Sequence, residues 1–120
     1  MDALGTHLLV ELRSADPKKL DDLQYIREAL LYAARTSGAT VLGDTFHRFS
    51  PQGVTGIVAI AESHISIHTW PEFGYAAVDV FTCGETVNPR VAADLIIESL
   101  ESKDSEIRVI TRGLLPAYAK

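Results

Sequence analysis

The chain has 120 residues, of which 47% are hydrophobic and 22% charged, and its net charge at neutral pH is −5. This composition is typical of one globular domain that needs neither disulfides nor a structural metal, and it argues against nucleic-acid binding, which requires a clustered basic surface. The single cysteine, Cys83, favours a reducing compartment, while the N-terminus lacks signal-peptide features and no apolar run approaches the ~20 residues of a membrane span, so we expect a cytoplasmic protein with no membrane partner.

The first predicted elements are a strand, a helix and a second strand. THLLVELR (6–13) largely alternates apolar and polar residues, which predicts a strand with one buried face. In the next segment Asp16 can cap a helix, Pro17 suits its first position and Gly38 can end it. An apolar stripe at helical spacing supports a single helix there: Leu20, Leu23, Ile26, Leu30 and Ala34. A strand over about 40–49 follows, and SPQG (50–53) reads as a turn.

Residues 54–70 are too long for one ordinary strand. They are rich in Val, Ile and Thr, and natural strands usually run five or six residues. The pattern therefore predicts two strands, with cores at 57–61 and 65–69. The break falls near 62–64, where no glycine or proline marks a turn.

The rest of the chain predicts a loop, a strand, a helix and a strand. WPEFG (70–74) reads as the loop, and YAAVDVFTC (75–83) as a strand with Val78 and Val80 buried. Asn88 and Pro89 repeat the helix-start pattern, and 105–113 forms a last strand. This order predicts one α+β domain over 1–120, a two-layer sandwich whose mainly antiparallel sheet has both helices on one face. The other face would be uncovered, which favours a homodimer.

The histidines do not predict a metal site. His64 and His68 are four residues apart, which suits a helix, but on a strand that spacing is roughly 13 Å, too far to share one ion. There is no second cysteine and no clustered carboxylate nearby. We predict no metal, and His7 and His47 can be structural residues.

Ser63 and Cys83 are the candidates for reactive side chains. Ser63 follows Glu62 at the unusual break, where a strained bond would favour attack of the hydroxyl on its own preceding carbonyl; an ordinary turn serine is the alternative. Strand alternation puts Cys83 on the face opposite Val78 and Val80, so the thiol can either transfer protons or simply fill space. A Ser-His-Asp hydrolase fits poorly, because the G-x-S-x-G turn is absent.

Four segments together carry a family resemblance: TFHRF (45–49), PQGVTG (51–56), ESHISIHTWPE (62–72) and YAAVDVFTCG (75–84). They closely resemble the short prokaryotic S-adenosylmethionine decarboxylases, with similarity running from about residue 5 to residue 96. The resemblance implies an inactive proenzyme that cuts itself between Glu62 and Ser63 into 1–62 and 63–120. Ser63 would become a pyruvoyl group, which forms a Schiff base with the substrate.

The resemblance also implies roles for other residues. His68 falls on the family's processing base and Cys83 on its catalytic proton donor. Thr55 falls on the processing hydroxyl, where the family has serine; its extra methyl group bears on the rate of self-cleavage. Phe49 and Trp70 are expected to stack on adenine, and Glu72 to bind the ribose hydroxyls. For Phe49, core packing at a strand end is the alternative.

Three rival functions remain open from the sequence. The same pyruvoyl scaffold could decarboxylate arginine or ornithine instead of S-adenosylmethionine, the precursor of the aminopropyl donor in spermidine synthesis. The substitution at Thr55 also allows an unprocessed, non-catalytic homologue. A thiol hydrolase that uses Cys83 and His68 is the third.

Overall fold

The structure is a computed structural model that describes residues 3–115. Six strands, three α-helices and one short 3-10 helix lie within these residues. Their order and bounds are β1 (Gly5–Arg13), α1 (Pro17–Leu20), α2 (Leu23–Thr36), β2 (Val41–Arg48), β3 (Val54–Ile60), β4 (Ser63–Trp70), the 3-10 helix (Pro71–Phe73), β5 (Tyr75–Cys83), α3 (Pro89–Ser99) and β6 (Asp104–Arg112).

The strands form one sheet in the order β2-β3-β4-β5-β1-β6, and every neighbouring pair is antiparallel. Alternate residues of β1, β3, β4 and β5 point to one face, where α2 and α3 cover them to form the core. Fully buried side chains in this layer include Leu12, Ile26, Leu30, Ile65, Ile67 and Ile96. The predicted two-layer α+β architecture is confirmed. Among residues 3–115, no helix is both long and apolar enough to cross a membrane.

The predicted first helix is divided in two. Asp16 caps α1 as expected, by accepting hydrogen bonds from the backbone of Lys18 and Lys19, but α1 ends at Leu20. Asp22 then caps α2, where its side chain accepts from the backbone N–H of Tyr25. The single-helix prediction was wrong because the apolar stripe continues across the break. The sequence signal for the break is Asp21-Asp22, since aspartates compete with helical backbone bonds and favour caps.

The break predicted near residues 62–64 is confirmed as a tight hairpin. Ile60 pairs with Ser63, so Ala61 and Glu62 form a two-residue turn between β3 and β4. Turns of this length usually need residues with positive φ at their centre. Here the positive φ, 147°, belongs to Ser63, the residue after the turn. In the next segment, Trp70 ends β4 and residues 71–73 are a 3-10 helix, so only part of the predicted loop is irregular.

The second face of the sheet, which we call the open face, is not covered by any of the helices within residues 3–115. It carries the residues that alternate with the core positions: among them are His7, Glu11, Thr55, Ile57, His64, Ser66, His68, Trp70, Tyr75, Asp79, Phe81, Cys83 and Arg112. Ile57 and Trp70 are 44% and 40% exposed there. The candidate catalytic side chains lie on this face or at its ends.

Candidate active site

Cys83 holds the carbonyl group that precedes Ser63. The backbone N–H of Cys83 donates to the Glu62 carbonyl oxygen at 2.8 Å, and its thiol donates to the same oxygen at 3.0 Å. The Ser63 hydroxyl lies 3.8 Å from the Cys83 sulfur. Two donors on one carbonyl oxygen withdraw electron density from its carbon and stabilise negative charge that develops on that oxygen. The carbonyl is therefore prepared for attack by a neighbouring hydroxyl.

Ser63 has a strained backbone. Its φ of 147° is rare for a residue with a Cβ, and such conformations cost on the order of 1–3 kcal/mol. The pairing of Ser63 with Ile60 on one side and with Thr82 on the other fixes this conformation. Conversion of the peptide bond before Ser63 into an ester would release part of the strain.

Thr55 and His68 form a second polar pair on the open face. They pair across β3 and β4, and the Thr55 hydroxyl oxygen lies 3.0 Å from the His68 Nδ1. The methyl group of Thr55 does not prevent this contact. The hydroxyl and the imidazole can therefore share a proton, which is the arrangement that general acid–base chemistry requires.

The two polar pairs lie at opposite ends of β4 in a single chain. β4 is continuous from Ser63 to Trp70, and five residues of strand span about 16 Å. A histidine acting on Ser63 must lie within hydrogen-bonding reach or be linked to it by one water. His68 therefore does not reach Ser63 of its own chain. The structure joins Cys83 to Ser63 and Thr55 to His68, but it does not join these two pairs.

The predicted substrate-binding aromatics lie at the His68 end. His47 and His68 flank Thr55 in the sheet, and Phe49 and Trp70 each follow two residues later, which brings them to the same end. Phe49 is 47% exposed, so it is not a core residue, and its ring meets the His47 ring edge-on at 4.5 Å. Glu72, in the 3-10 helix directly after Trp70, is exposed.

Tyr75 supports Trp70 from the neighbouring strand. The two residues pair across β4 and β5, with ring centroids 5.4 Å apart. The Tyr75 hydroxyl donates to a carboxylate oxygen of Glu11 at 2.7 Å. Burial together with this hydrogen bond raises the pKa of Tyr75 to about 12, so the phenol stays protonated and keeps donating at neutral pH. The Trp70 ring therefore packs against the Tyr75 ring, whose position the hydrogen bond to Glu11 fixes.

Sequence reasoning missed the anchor of the Glu62 side chain. Its carboxylate accepts the backbone N–H of Thr40 at 3.1 Å and the Thr40 hydroxyl at 3.4 Å. The carbonyl of Thr40 in turn accepts the N–H of Ala61 at 2.9 Å. These residues are 21 or 22 positions apart, and no local pattern signals such a pair.

The histidines and carboxylates of residues 3–115 do not assemble a metal site. No group of three or more histidine, cysteine, aspartate or glutamate side chains in that range is arranged to hold an ion. His64 and His68 are both on β4, and each makes its own contacts: the His64 ring packs against Phe81 at 5.8 Å and His68 meets Thr55.

Comparison with known proteins gives one consistent family. The sequence profile of the family described as S-adenosylmethionine decarboxylase matches residues 6–113. An S-adenosylmethionine decarboxylase proenzyme of Thermodesulfovibrio yellowstonii is 52% identical over 96% of this chain and 85% of its own length. A protein of the same name from a Thermoanaerobacter species is 47% identical over 100% of this chain and 97% of its own.

A solved structure has the same fold. The crystal structure of the adenosylmethionine decarboxylase from Aquifex aeolicus matches with a TM-score of 0.89 and 42% sequence identity, over 96% of this chain and 95% of the other. The range that the profile matches, residues 6–113, contains both polar pairs. The chain belongs to the S-adenosylmethionine decarboxylase family.

Proposed function

We propose that this chain is a proenzyme that cuts itself between Glu62 and Ser63 and then decarboxylates S-adenosylmethionine. The single observation that carries the proposal is the contact of both Cys83 donors with the Glu62 carbonyl oxygen, beside a serine of strained backbone. An ordinary hairpin does not need a thiol directed at the carbonyl of its turn. Family membership supports the same activity.

Self-cleavage begins at the Ser63 hydroxyl. Its oxygen attacks the Glu62 carbonyl carbon, the C–N peptide bond breaks, and Glu62 becomes esterified to the serine oxygen while the Ser63 nitrogen gains a proton. A base then removes the Ser63 α-proton, and the ester leaves as the Glu62 carboxylate, which separates 1–62 from 63–120. Water replaces the nitrogen of the resulting dehydroalanine, and ammonia is released. A pyruvoyl group remains on residue 63.

The residues around Ser63 fit that group. Cleavage frees the thiol and the backbone N–H of Cys83 from the Glu62 carbonyl oxygen, beside the new end of the chain. When present, a pyruvoyl group supplies the carbonyl that binds the substrate amine and accepts the electrons left as carbon dioxide departs. Cys83, exposed and 3.8 Å from the Ser63 oxygen, is placed to return a proton to the substrate α-carbon.

We further propose that the complete site needs two chains. The base for the α-proton must reach Ser63, and His68 of the same chain is about 16 Å away along β4. A second copy packed antiparallel on the open face would bring its Thr55 and His68 to the Ser63 end of the first. Exposed apolar side chains on that face, such as Ile57, support such packing.

The same dimer would complete the substrate pocket. Phe49, Trp70 and Glu72 lie at the His68 end, so the partner chain would provide them to the pyruvoyl group of the first chain. Two partly exposed aromatic rings suit stacking on a purine, and the exposed carboxylate of Glu72 suits two ribose hydroxyls. This set of side chains favours a nucleoside substrate over arginine or ornithine.

Two measurements test the proposed function. Intact mass should show fragments 1–62 and 63–120, with the second lacking a free amine, in place of one chain of 13.1 kDa. The cut protein should release carbon dioxide from carboxyl-labelled S-adenosylmethionine and be inactivated by borohydride, which reduces the pyruvoyl carbonyl.

One intact, inactive chain would indicate a non-catalytic homologue. Release from arginine or ornithine alone would contradict the substrate, and inactivation by thiol alkylation but not by borohydride would indicate a thiol hydrolase.

Loss of the Glu62 side chain should slow self-cleavage. Glu62→Ala removes both hydrogen bonds that the Glu62 side chain accepts from Thr40, and these anchor the turn residue whose backbone carbonyl oxygen Cys83 contacts. A hydrogen bond to a charged group contributes ~1.5 kcal/mol, so we expect about tenfold slower appearance of the fragments. Glu62→Gln keeps an acceptor and should lose less. Glu98→Ala, at an exposed position of α3, is the matched control and should cut at the original rate. Equal rates for all variants would contradict the role of this contact.

A further inference from the structure

One carboxylate binds both ends of the turn that carries Phe49. Residues 49–53 connect β2 to β3. Asp21, in the break between α1 and α2, accepts the backbone N–H of Gly53 at 2.9 Å and the Arg48 Nη2 at 2.6 Å. The Arg48 Nε also donates to the Asp21 backbone carbonyl at 3.2 Å. Asp21 is therefore linked to the residue before Phe49 and to the last residue of the turn.

A buried threonine fixes the break itself to the sheet. The Thr69 hydroxyl donates to the Leu20 carbonyl at 2.8 Å and accepts the backbone N–H of Val54 at 2.8 Å. Thr69 is only 6% exposed and immediately precedes Trp70. The segment that holds Asp21 is thus attached to the strand that carries the other candidate aromatic residue. We therefore expect a displacement of Asp21 to change the position of the Phe49 turn and not that of the Ser63 end of the sheet.

Phe49 has few other constraints. It is 47% exposed, its backbone N–H donates to Gly53 O at 2.8 Å, and its ring meets His47 only by an edge. Gly53 has a φ of 106°, and a Cβ at that position would lie 3.2 Å from the Thr69 carbonyl oxygen, so the turn fits closely against β4. The Gly53 N–H and then the Arg48 guanidinium hold the pKa of Asp21 below its ordinary value, which keeps the carboxylate ionised at neutral pH.

We propose that Asp21 is a positioning residue for nucleoside binding, which acts by holding the 49–53 turn so that the Phe49 ring faces the substrate base. This inference rests on the proposed function, because that function assigns Phe49 to the adenine ring. It gives the break in the first helix a role: a continuous helix would not direct the Asp21 backbone carbonyl and carboxylate at the same arginine.

Binding of 5′-methylthioadenosine tests the inference, since this compound has the nucleoside but not the reactive amine. Quenching of the fluorescence of Trp70, the only tryptophan, reports binding to the self-cleaved protein. Asp21→Ala should raise the Kd about tenfold, the change expected when a charged hydrogen bond no longer holds the ring, and Asp21→Asn should raise it less. The KM for S-adenosylmethionine should rise in parallel, with kcat and the self-cleavage rate within about twofold of the original values.

Two comparisons separate positioning from general stability. Asp44 lies on β2, the strand that also carries Arg48, and it accepts hydrogen bonds from Arg27 at 2.9 and 3.1 Å. Asp44→Asn weakens these bonds and should leave the Kd unchanged. In a Phe49→Ala background, Asp21→Ala should have little further effect, because Asp21 acts through that ring. Three results would overturn this inference and leave the proposed function standing. They are an equal rise in Kd on Asp21→Ala in both backgrounds, an equal rise in Kd on Asp44→Asn, and no change in Kd on Asp21→Ala. No binding to the unaltered protein would instead overturn the nucleoside assignment and the inference with it.

Discussion

Ser63→Ala should leave a single, uncut and folded chain. The substitution removes the hydroxyl that attacks the Glu62 carbonyl, while the hairpin, the Cys83 contacts and the sheet pairing of residue 63 remain. We expect no fragments by intact mass after days of incubation and no decarboxylation, against complete conversion of the unaltered protein. The expected effect is total, because the proposed reaction both forms the ester at the Ser63 oxygen and later breaks the bond between that oxygen and the Ser63 β-carbon, and alanine has no such oxygen.

The control for this experiment is a serine outside the site. Ser105→Ala removes a hydroxyl from exposed strand β6 and should cut normally. The circular dichroism spectrum of Ser63→Ala should resemble that of the unaltered protein, and the variant should unfold in one cooperative thermal transition. Fragments with the same new ends from Ser63→Ala would exclude the acyl shift and every later step that depends on it.

Two inactive variants should restore cleavage when they are produced together. In a shared site, a His68→Ala chain retains Ser63 and can receive an intact His68 from a partner that carries Ser63→Ala. Each variant alone should stay whole or nearly so. In the mixed sample, fragments should come from the His68→Ala chain, and the Ser63→Ala chain should stay uncut. The masses of the two chains differ, so intact-mass measurement assigns the fragments.

The matched control for the mixed sample removes the donated imidazole. His68→Ala produced with a chain that carries both substitutions offers no His68 to any site, and it should stay uncut. Cleavage in this control, or no cleavage in the first mixture although both chains are folded and associated, would contradict a site built from two copies. Cleavage in the first mixture can exceed cleavage in this control only if His68 of one chain reaches Ser63 of another.

The hairpin at Ser63 was predictable from strand length, but its chemistry was not. Seventeen residues of strand-forming composition require a break, and the break occurs at Ala61 and Glu62. The positive φ of Ser63 and the double contact of Cys83 with the Glu62 carbonyl depend on how β4 and β5 are aligned. Register between strands is set by tertiary packing, so a reading of β4 alone could only propose that this bond is strained.

The break in the first helix shows a different limit. Leu20, Leu23 and Ile26 keep helical spacing across it, and periodicity therefore predicts a single helix. Asp21 and Asp22 end and restart the helix because their side chains bind other partners: Asp21 accepts from Gly53 and Arg48, and Asp22 caps the N-terminus of α2. The first of these partners are about thirty residues away, and a local pattern does not reveal them.

By itself, the sequence determined the fold class, the order of the strands along the chain, the family and the residue types of the polar pairs, because alternation and a specific motif are local properties. Tertiary structure decided which of those residues meet. His68 is five residues from Ser63 in the chain but about 16 Å away along an extended strand, whereas Cys83, twenty residues distant, lies beside Ser63 through antiparallel pairing. Extended backbone separates neighbours in sequence and sheet pairing joins distant residues, so the crowded motif around Ser63 is divided between two ends of one open face.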